Sequence, residues 1–577
     1  MGINKLKLPL VFVVFLYLGG YKNTFAQLSK KHFIPPLTYA EAGNASPNDQ
    51  YFYISTPSEK KVAYTIKPVG LPATSYITGF VSKASPQKIY IGDSNSQLFV
   101  DSNQTSTVTT NKGYIIEAYD AIYVSVRLIA GNGSQAGALV SKGAAALGTS
   151  FRAGMFTNEN PVRNNYLNFI SVMAAEDNTT VTFSNLPNGL VIKNYTGTTP
   201  ITGIVLDEGE SYIVATNASD ASINRDGLIG TLVQSDKPIV VNCGSANGSF
   251  HNGNGRDYGI DQIVGEDKIG TEYILVKGGG LDGWENVLVV ANQNNTSIYV
   301  NGNAAPIATI NAGEYYLIEG NYYNSNGNMY IETSNPTFVY QGVGASNSEA
   351  NQGLFFVPPI SCKNRGNVDN IPEIETIGGT VFTGGVTFVA NQDANITVTT
   401  TSGNPVNLLG PYTVTGNTGY VTYKAANLTG NITVSSTGEL YCAYFNINNV
   451  ATSGSFYSGF ATAPEVNFAP SSENLGSCIP NITLDATRSN MFDTLEWFFD
   501  DQNGSGFVSV GTGTSYKPTS PGKYKVVGSL TCGGKTYTYD SDEFFVSRCP
   551  DDYDNDSIID NLDVDIDNDG ILNCDES

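Results

Sequence analysis

The chain has 577 residues, room for three or more domains, and a formal net charge of −23. So acidic a chain has nothing to neutralise phosphates along a groove, which excludes nucleic acid as a partner. Charged residues make up only 14% while Gly reaches 61 and Tyr 34, the profile of an extracellular β protein rich in turns.

Lys5 and Lys7 precede an apolar run from Leu8 to Leu18, and Thr24-Phe25-Ala26 offers a small-residue cleavage site before Gln27. The run is too short for a stable membrane anchor, so residues 1–26 read as a secretory signal peptide. No later stretch approaches the roughly 18 apolar residues of a spanning helix, so no transmembrane segment is expected in the mature chain. Seven cysteines in an exported protein can form disulfides with one left over. The expected pairs are Cys478 with Cys532 and Cys549 with Cys574.

Residues 27–465 repeat themselves. Gly148-Thr149-Ser150-Phe151 recurs as Gly270-Thr271-Glu272-Tyr273 and loosely as Gly379-Thr380-Val381-Phe382. An apolar strand ending in Ala follows each, then an acid/amide turn: Ala174 before Glu176-Asp177-Asn178, Ala291 before Gln293-Asn294-Asn295, Ala390 before Gln392-Asp393. Gly209-Glu210-Ser211-Tyr212 is echoed by Gly313-Glu314-Tyr315-Tyr316 and weakly by Gly419-Tyr420. Each unit closes on an apolar strand, as in Lys237-Pro238-Ile239-Val240-Val241 and Asn335-Pro336-Thr337-Phe338-Val339. With a divergent first unit from Tyr51 to Val126 there are about four units. Period-2 alternation with Asn/Gly turns dominates, and no long amphipathic helix is legible. The fold class is therefore all-β. A period of roughly 100 residues suits tandem β-sandwich-like repeats, with a propeller-like arrangement as the alternative.

The run Ser235-Asp236-Lys237-Pro238-Ile239-Val240-Val241, the segment Asp261-Gln262-Ile263-Val264 and the Gly-Thr-x-aromatic step resemble the N-terminal domain of IgGFc-binding proteins. In animals that family is associated with mucus and with antibody Fc. What the resemblance implies here is a glycoprotein-binding or adhesive role. It supplies no matched binding residues.

Residues 466–549 change character. Strands at Ile482–Ala486, Leu495–Phe499 and Pro521–Val527, with Trp497 between Cys478 and Cys532, resemble an immunoglobulin-like sandwich. Trp497 reads as core.

Residues 551–577 carry eleven carboxylates and no Lys or Arg. Asp552, Asp554 and Asp556, then Asp565, Asp567 and Asp569, occupy positions 1, 3 and 5 of two loops. Asp560 and Asn573 fall at position 9, and Asp563 and Glu576 at position 12. Oxygen donors at that spacing are what Ca²⁺ requires. Apolar residues such as Ile558, Leu562 and Ile571 at fixed offsets argue against a merely solvated acidic tail. Without flanking helices, residues 550–577 resemble thrombospondin type 3 repeats, with Ser557 where the first loop would normally carry Gly. Calcium would be a structural cofactor. The combination resembles bacterial surface adhesins of the gliding, Bacteroidetes type. No anchor is legible after the loops, which leaves a longer parent chain or another mode of attachment open.

A catalytic centre is not legible. Only His32 and His251 exist; His32 is expected in a flexible lead. His251 sits in a Gly/Asn-rich loop with Asp257 and Asp261 nearby, where a metal or sugar site is conceivable but an exposed loop histidine is the plainer reading. Gly278-Gly279-Gly280, before Trp284, reads as a turn. No nucleophile elbow, zinc-protease or phosphate-loop motif occurs. The expected function is that of a secreted or cell-surface, non-enzymatic adhesive protein recognising a glycoprotein or polysaccharide, with the calcium segment as spacer. The alternatives are an extracellular carbohydrate-active enzyme and a structural matrix component.

Overall fold

A computed structural model describes residues 27–549, except 40–45, 162, 252–255, 345–351, 365–367, 401, 449–450, 461–463, 465, 471–477 and 533, together with 553, 565, 567 and 571. It is all-β. Among the described residues every helix is a 3-10 turn of at most four residues, and no helix is long and apolar enough to cross a membrane.

Four units share one plan. Each is built on a long strand: Tyr114–Ala130, Leu232–Gly248 and Asn328–Gly344, of 17 residues each. In the fourth unit this strand is interrupted into Ile432–Ser436 and Leu440–Asn448. The first half of each long strand is partly exposed and the second half is buried throughout. The halves pair with different strands. Val233 lies opposite Phe151 and Phe183, whereas Val241 lies opposite Val172 and Ile263. A strand that changes partners midway turns a corner between two sheets, so each unit is a small sandwich.

The repeated sequence motifs are the joints of this plan. The Gly-Thr step opens the first strand of the second and third units, Gly148–Arg152 and Gly270–Val276. Ala174 and Ala291 are fully buried strand ends. Gly209 N–H donates to the Ala174 carbonyl and Gly313 N–H to that of Ala291, both at 2.9 Å. Both glycines have positive φ, 83° and 81°, which a side chain would oppose.

The last strand of each unit, Gln135–Val140, Asp257–Ile263, Gln352–Phe356 and Ala451–Ser458, packs against that of the next, and the fourth packs against the first. The four units form a closed ring around these axial strands. Sandwich and propeller are therefore not alternatives: sandwich units are set in a propeller-like ring. The cores follow suit. Phe52 of the first unit shares a cluster with Phe169 of the second, Phe151 with Leu288 of the third, Val339 with Tyr441 of the fourth, and Val386 with Tyr123 of the first. No unit has a core of its own.

Residues 466–546 form a separate two-sheet unit around Trp497, which is fully buried among Leu484, Tyr524 and Val526. The expected disulfides are corrected. Cys532 pairs with Cys362, on the linker between the third and fourth ring units, and Cys478 pairs with Cys549. The second pair forms because Ile479 bridges Arg548 and Cys549 N–H donates to the Ile479 carbonyl. The first joins the end of strand Gly522–Cys532, where it turns into Lys535–Asp540, to the ring linker. Cys243 and Cys442 are buried thiols, and Cys574 lies outside the described residues. The expectation for His32 also fails. It is fully buried on strand Ser29–Ile34, which pairs with the first long strand, and burial lowers its pKa to about 4.

Candidate functional site

The Cys362–Cys532 bond straps the C-terminal unit onto the ring, and a cavity of about 590 Å³ lies between the two. That is the size of a small-ligand pocket. Its ring side is made by the linkers before and after the third unit, residues 267–271 and 359–364, with Phe460. Tyr441 fixes this wall by accepting from Ser361 N–H at 2.6 Å and donating to the Ser361 carbonyl at 2.8 Å. Asn364 Nδ2 donates to the Leu440 carbonyl at 2.8 Å. The opposite wall is strand Lys535–Asp540, whose alternation turns Tyr537 and Tyr539 to the same side. Tyr539 packs on Phe492, and burial pushes its hydroxyl up to about 12.

Tyr537 joins the walls. Lys363 Nζ lies 3.8 Å from its ring centroid and Lys535 Nζ 5.3 Å. Among the described residues Lys363 makes no ion pair, so its ammonium is held by a ring face and not by a carboxylate. Lys268, on the cavity lining, is different. Burial lowers its pKa, and Asp267 at 2.9 Å opposes that shift. The cavity therefore offers aromatic rings, hydroxyls, the Lys363 ammonium resting on Tyr537, and the Asp267 and Asp540 carboxylates, which are paired with Lys268 and Lys525. Such a surface suits a polar, hydroxylated or anionic ligand.

A second cluster lies where the second unit meets the third. His251 Nδ1 is 3.1 Å from Glu159 Oε2, and its Nε2 is 3.2 Å from Glu319. Asn286 Nδ2 donates to Glu319 at 2.6 Å, and Trp284 meets the imidazole edge-on at 6.1 Å. Burial depresses the imidazole, but the two carboxylates outweigh it and its pKa is raised. Sequence proximity had grouped His251 with Asp257 and Asp261. The structure separates them: both aspartates are buried on the axial strand Asp257–Ile263. Glu159, Glu319 and Asn286 carried no signal in the sequence, being 92, 68 and 35 residues from His251. The Gly278–Gly280 turn is as expected, and its purpose is now visible. Gly278 and Gly280 N–H donate to the buried Glu285 carboxyl, which burial pushes up to about 7.

Of the expected calcium ligands, Asp565 and Asp567 are described, half-buried and exposed respectively. Asp552, Asp554, Asp556, Asp560, Asp563, Asp569, Asn573 and Glu576 lie outside the described residues. Among the described residues no three His, Cys, Asp or Glu side chains are grouped to hold a metal.

A family model described as IgGFc binding protein matches residues 136–446, from the first axial strand to the last long strand. The chain belongs to the IgGFc-binding protein family. The match covers most of the ring and stops short of the C-terminal unit. No curated protein matches. Among solved structures, a tetra-tandem repeat from the extending region of a large adhesion protein is 12% identical, over 69% of this chain and 98% of that one, at a TM-score of 0.09. The Streptomyces avermitilis α-L-rhamnosidase complexed with L-rhamnose is 8% identical, over 78% of this chain and 59% of that one, at a TM-score of 0.11. Likenesses at these scores carry no argument about this IgGFc-binding family member.

Proposed function

We propose that this protein is an exported adhesive protein that binds an extracellular glycoprotein or polysaccharide, taking a saccharide into the cleft between ring and C-terminal unit. The observation that carries this reading is Tyr537, presented in a cavity of about 590 Å³ between Lys363 and Lys535. A sugar face stacks on a tyrosine ring while its hydroxyls or carboxylate meet hydroxyl and ammonium groups. Family membership supports binding over catalysis, and two disulfides support an oxidising compartment.

The remaining parts fit around that role. Residues 1–26 direct export, and residues 27–465 form the ring. Residues 466–549 form an immunoglobulin-like unit, a reading supported by Tyr524, whose hydroxyl donates to the Ser520 carbonyl at 2.7 Å. Residues 550–577 form calcium-binding loops of thrombospondin type 3 kind. Their donors are all oxygen, as Ca²⁺ prefers, and the ion would hold together carboxylates that otherwise repel. A glycan array probed with the full mature chain tests the binding role. Binding to a chemically coherent saccharide class supports it, and a blank array with folded protein contradicts it.

A further inference from the structure

At the ring axis one carboxyl group meets all four units. Asp261, on the second axial strand, has Lys142 Nζ of the first unit at 3.2 Å from Oδ1 and 3.4 Å from Oδ2. Phe356 N–H of the third unit donates to Oδ2 at 2.9 Å, and Gln262 N–H donates to Oδ1 at 2.9 Å. Ser455 Oγ of the fourth unit donates to the carboxyl at 2.9 Å and accepts from Lys142 Nζ at 3.0 Å. The Lys142 and Asp261 side chains are 0% and 1% exposed. Burial lowers the pKa of the amine, which Asp261 opposes, and raises that of the acid, which Lys142 opposes. Both shifts favour the uncharged pair.

We infer that Lys142 and Asp261 condense into an intramolecular amide that locks the first unit to the second at the axis. The geometry provides what such a condensation needs. Nζ lies 3.2 and 3.4 Å from the two carboxyl oxygens, which holds it beside the carboxyl carbon it must reach. Two backbone N–H groups and a hydroxyl are already fixed on the oxygens, where negative charge would grow in a tetrahedral intermediate. The nucleophile is held at its target in a dry site, the arrangement in which positioning replaces collision. Ser455 bridges the two groups and can pass a proton from nitrogen to the departing oxygen.

The step balances without a co-reactant. Within the pair the ammonium passes one proton to the carboxylate, and the amine nitrogen so freed adds to the carboxyl carbon. The nitrogen gives up one proton through Ser455, a C–O bond breaks, and water leaves with that proton. One C–N bond forms and no oxidation state changes. The cross-link joins residues 119 apart, so it encloses nearly all of the second unit, and pulling on the chain could not separate the first unit from the second at the axis. It is independent of the ligand reading above.

Mass spectrometry of the purified full chain, denatured and with disulfides reduced, decides the matter. The expected mass lies about 18 Da below that of the sequence with the same N-terminus. Trypsin is expected to leave Lys142 uncut and to release a branched peptide joining the segments around Lys142 and Asp261. The Lys142→Arg variant is expected at full mass, and Ser455→Ala is expected to form the bond more slowly. A full-mass wild-type chain cut after Lys142 overturns the inference. So does a mass loss without the branched peptide, which would mark a cyclised aspartate elsewhere. The wild-type result stands even where a variant fails to fold.

Discussion

The Arg127 guanidinium of the first unit donates to the Pro372 carbonyl of the fourth at 2.8 Å, across 245 residues of sequence. It also donates to the Glu373 carbonyl at 2.8 Å and stacks 4.0 Å from the Tyr53 ring centroid. Arg127 is fully buried, so this contact is part of the seam that closes the ring. Arg127→Met would leave two carbonyls without their donor, at a cost of about 3 kcal/mol or more. The expected outcome in urea unfolding of the full chain is a lower midpoint for the ring, with Trp497 fluorescence in the C-terminal unit little changed. Equal midpoints would show that the seam does not depend on this residue.

Two histidines give stability opposite dependences on pH. His32 titrates near 4 when folded against 6.5 in the open chain. Between those values the unfolded state binds the extra proton, so stability falls as pH falls, by roughly 3 kcal/mol in all. His251 is raised, so its contribution is complete below about 6.5 and is lost as pH rises through the higher folded value. Thermal midpoints of the wild type, His32→Gln and His251→Gln against pH separate the two. The first variant is expected to flatten the acid side and the second the neutral side. Profiles parallel to the wild type would refute both assignments.

What the sequence discloses depends on how far each partner lies along the chain. The all-β class and the repeats were legible because alternation, Asn turns and the Gly209/Gly313 joints are local. The buried cluster around Asp261 was not. Its donors Lys142, Phe356 and Ser455 come from three other units, so Asp261 looked like a loop carboxylate beside His251. The disulfides failed for the same reason: Cys532 finds Cys362 at a separation of 170. His32 looked like a lead because its strand partner, the first long strand, lies some 90 residues on. The cavity beside Tyr537 was invisible for want of any motif, since its two walls belong to different units.

Removing the strap should open the cleft without unfolding the ring. Cys362→Ser with Cys532→Ser is expected to free strand Lys535–Asp540 from Lys363 and to speed proteolytic release of the C-terminal unit. A fragment spanning the ring should persist. Unchanged cleavage kinetics would mean that non-covalent contacts alone hold the two parts together.

Calcium removal should act only at the C-terminus. With EDTA, residues 550–577 are expected to become rapidly degradable while the ring resists, because close-set carboxylates repel without their ion. Proteolysis of that segment at the same rate with and without EDTA would contradict the calcium reading.

The binding claim is tested most directly by glycan-array and solution titration of the full mature chain beside its Tyr537→Ala and Lys363→Ala variants. Both side chains are partly exposed, so the variants should stay folded. The account predicts one coherent saccharide class for the wild type and an affinity loss of about tenfold or more in each variant. Undiminished binding by both variants, or no saccharide bound by the folded wild type, would contradict it.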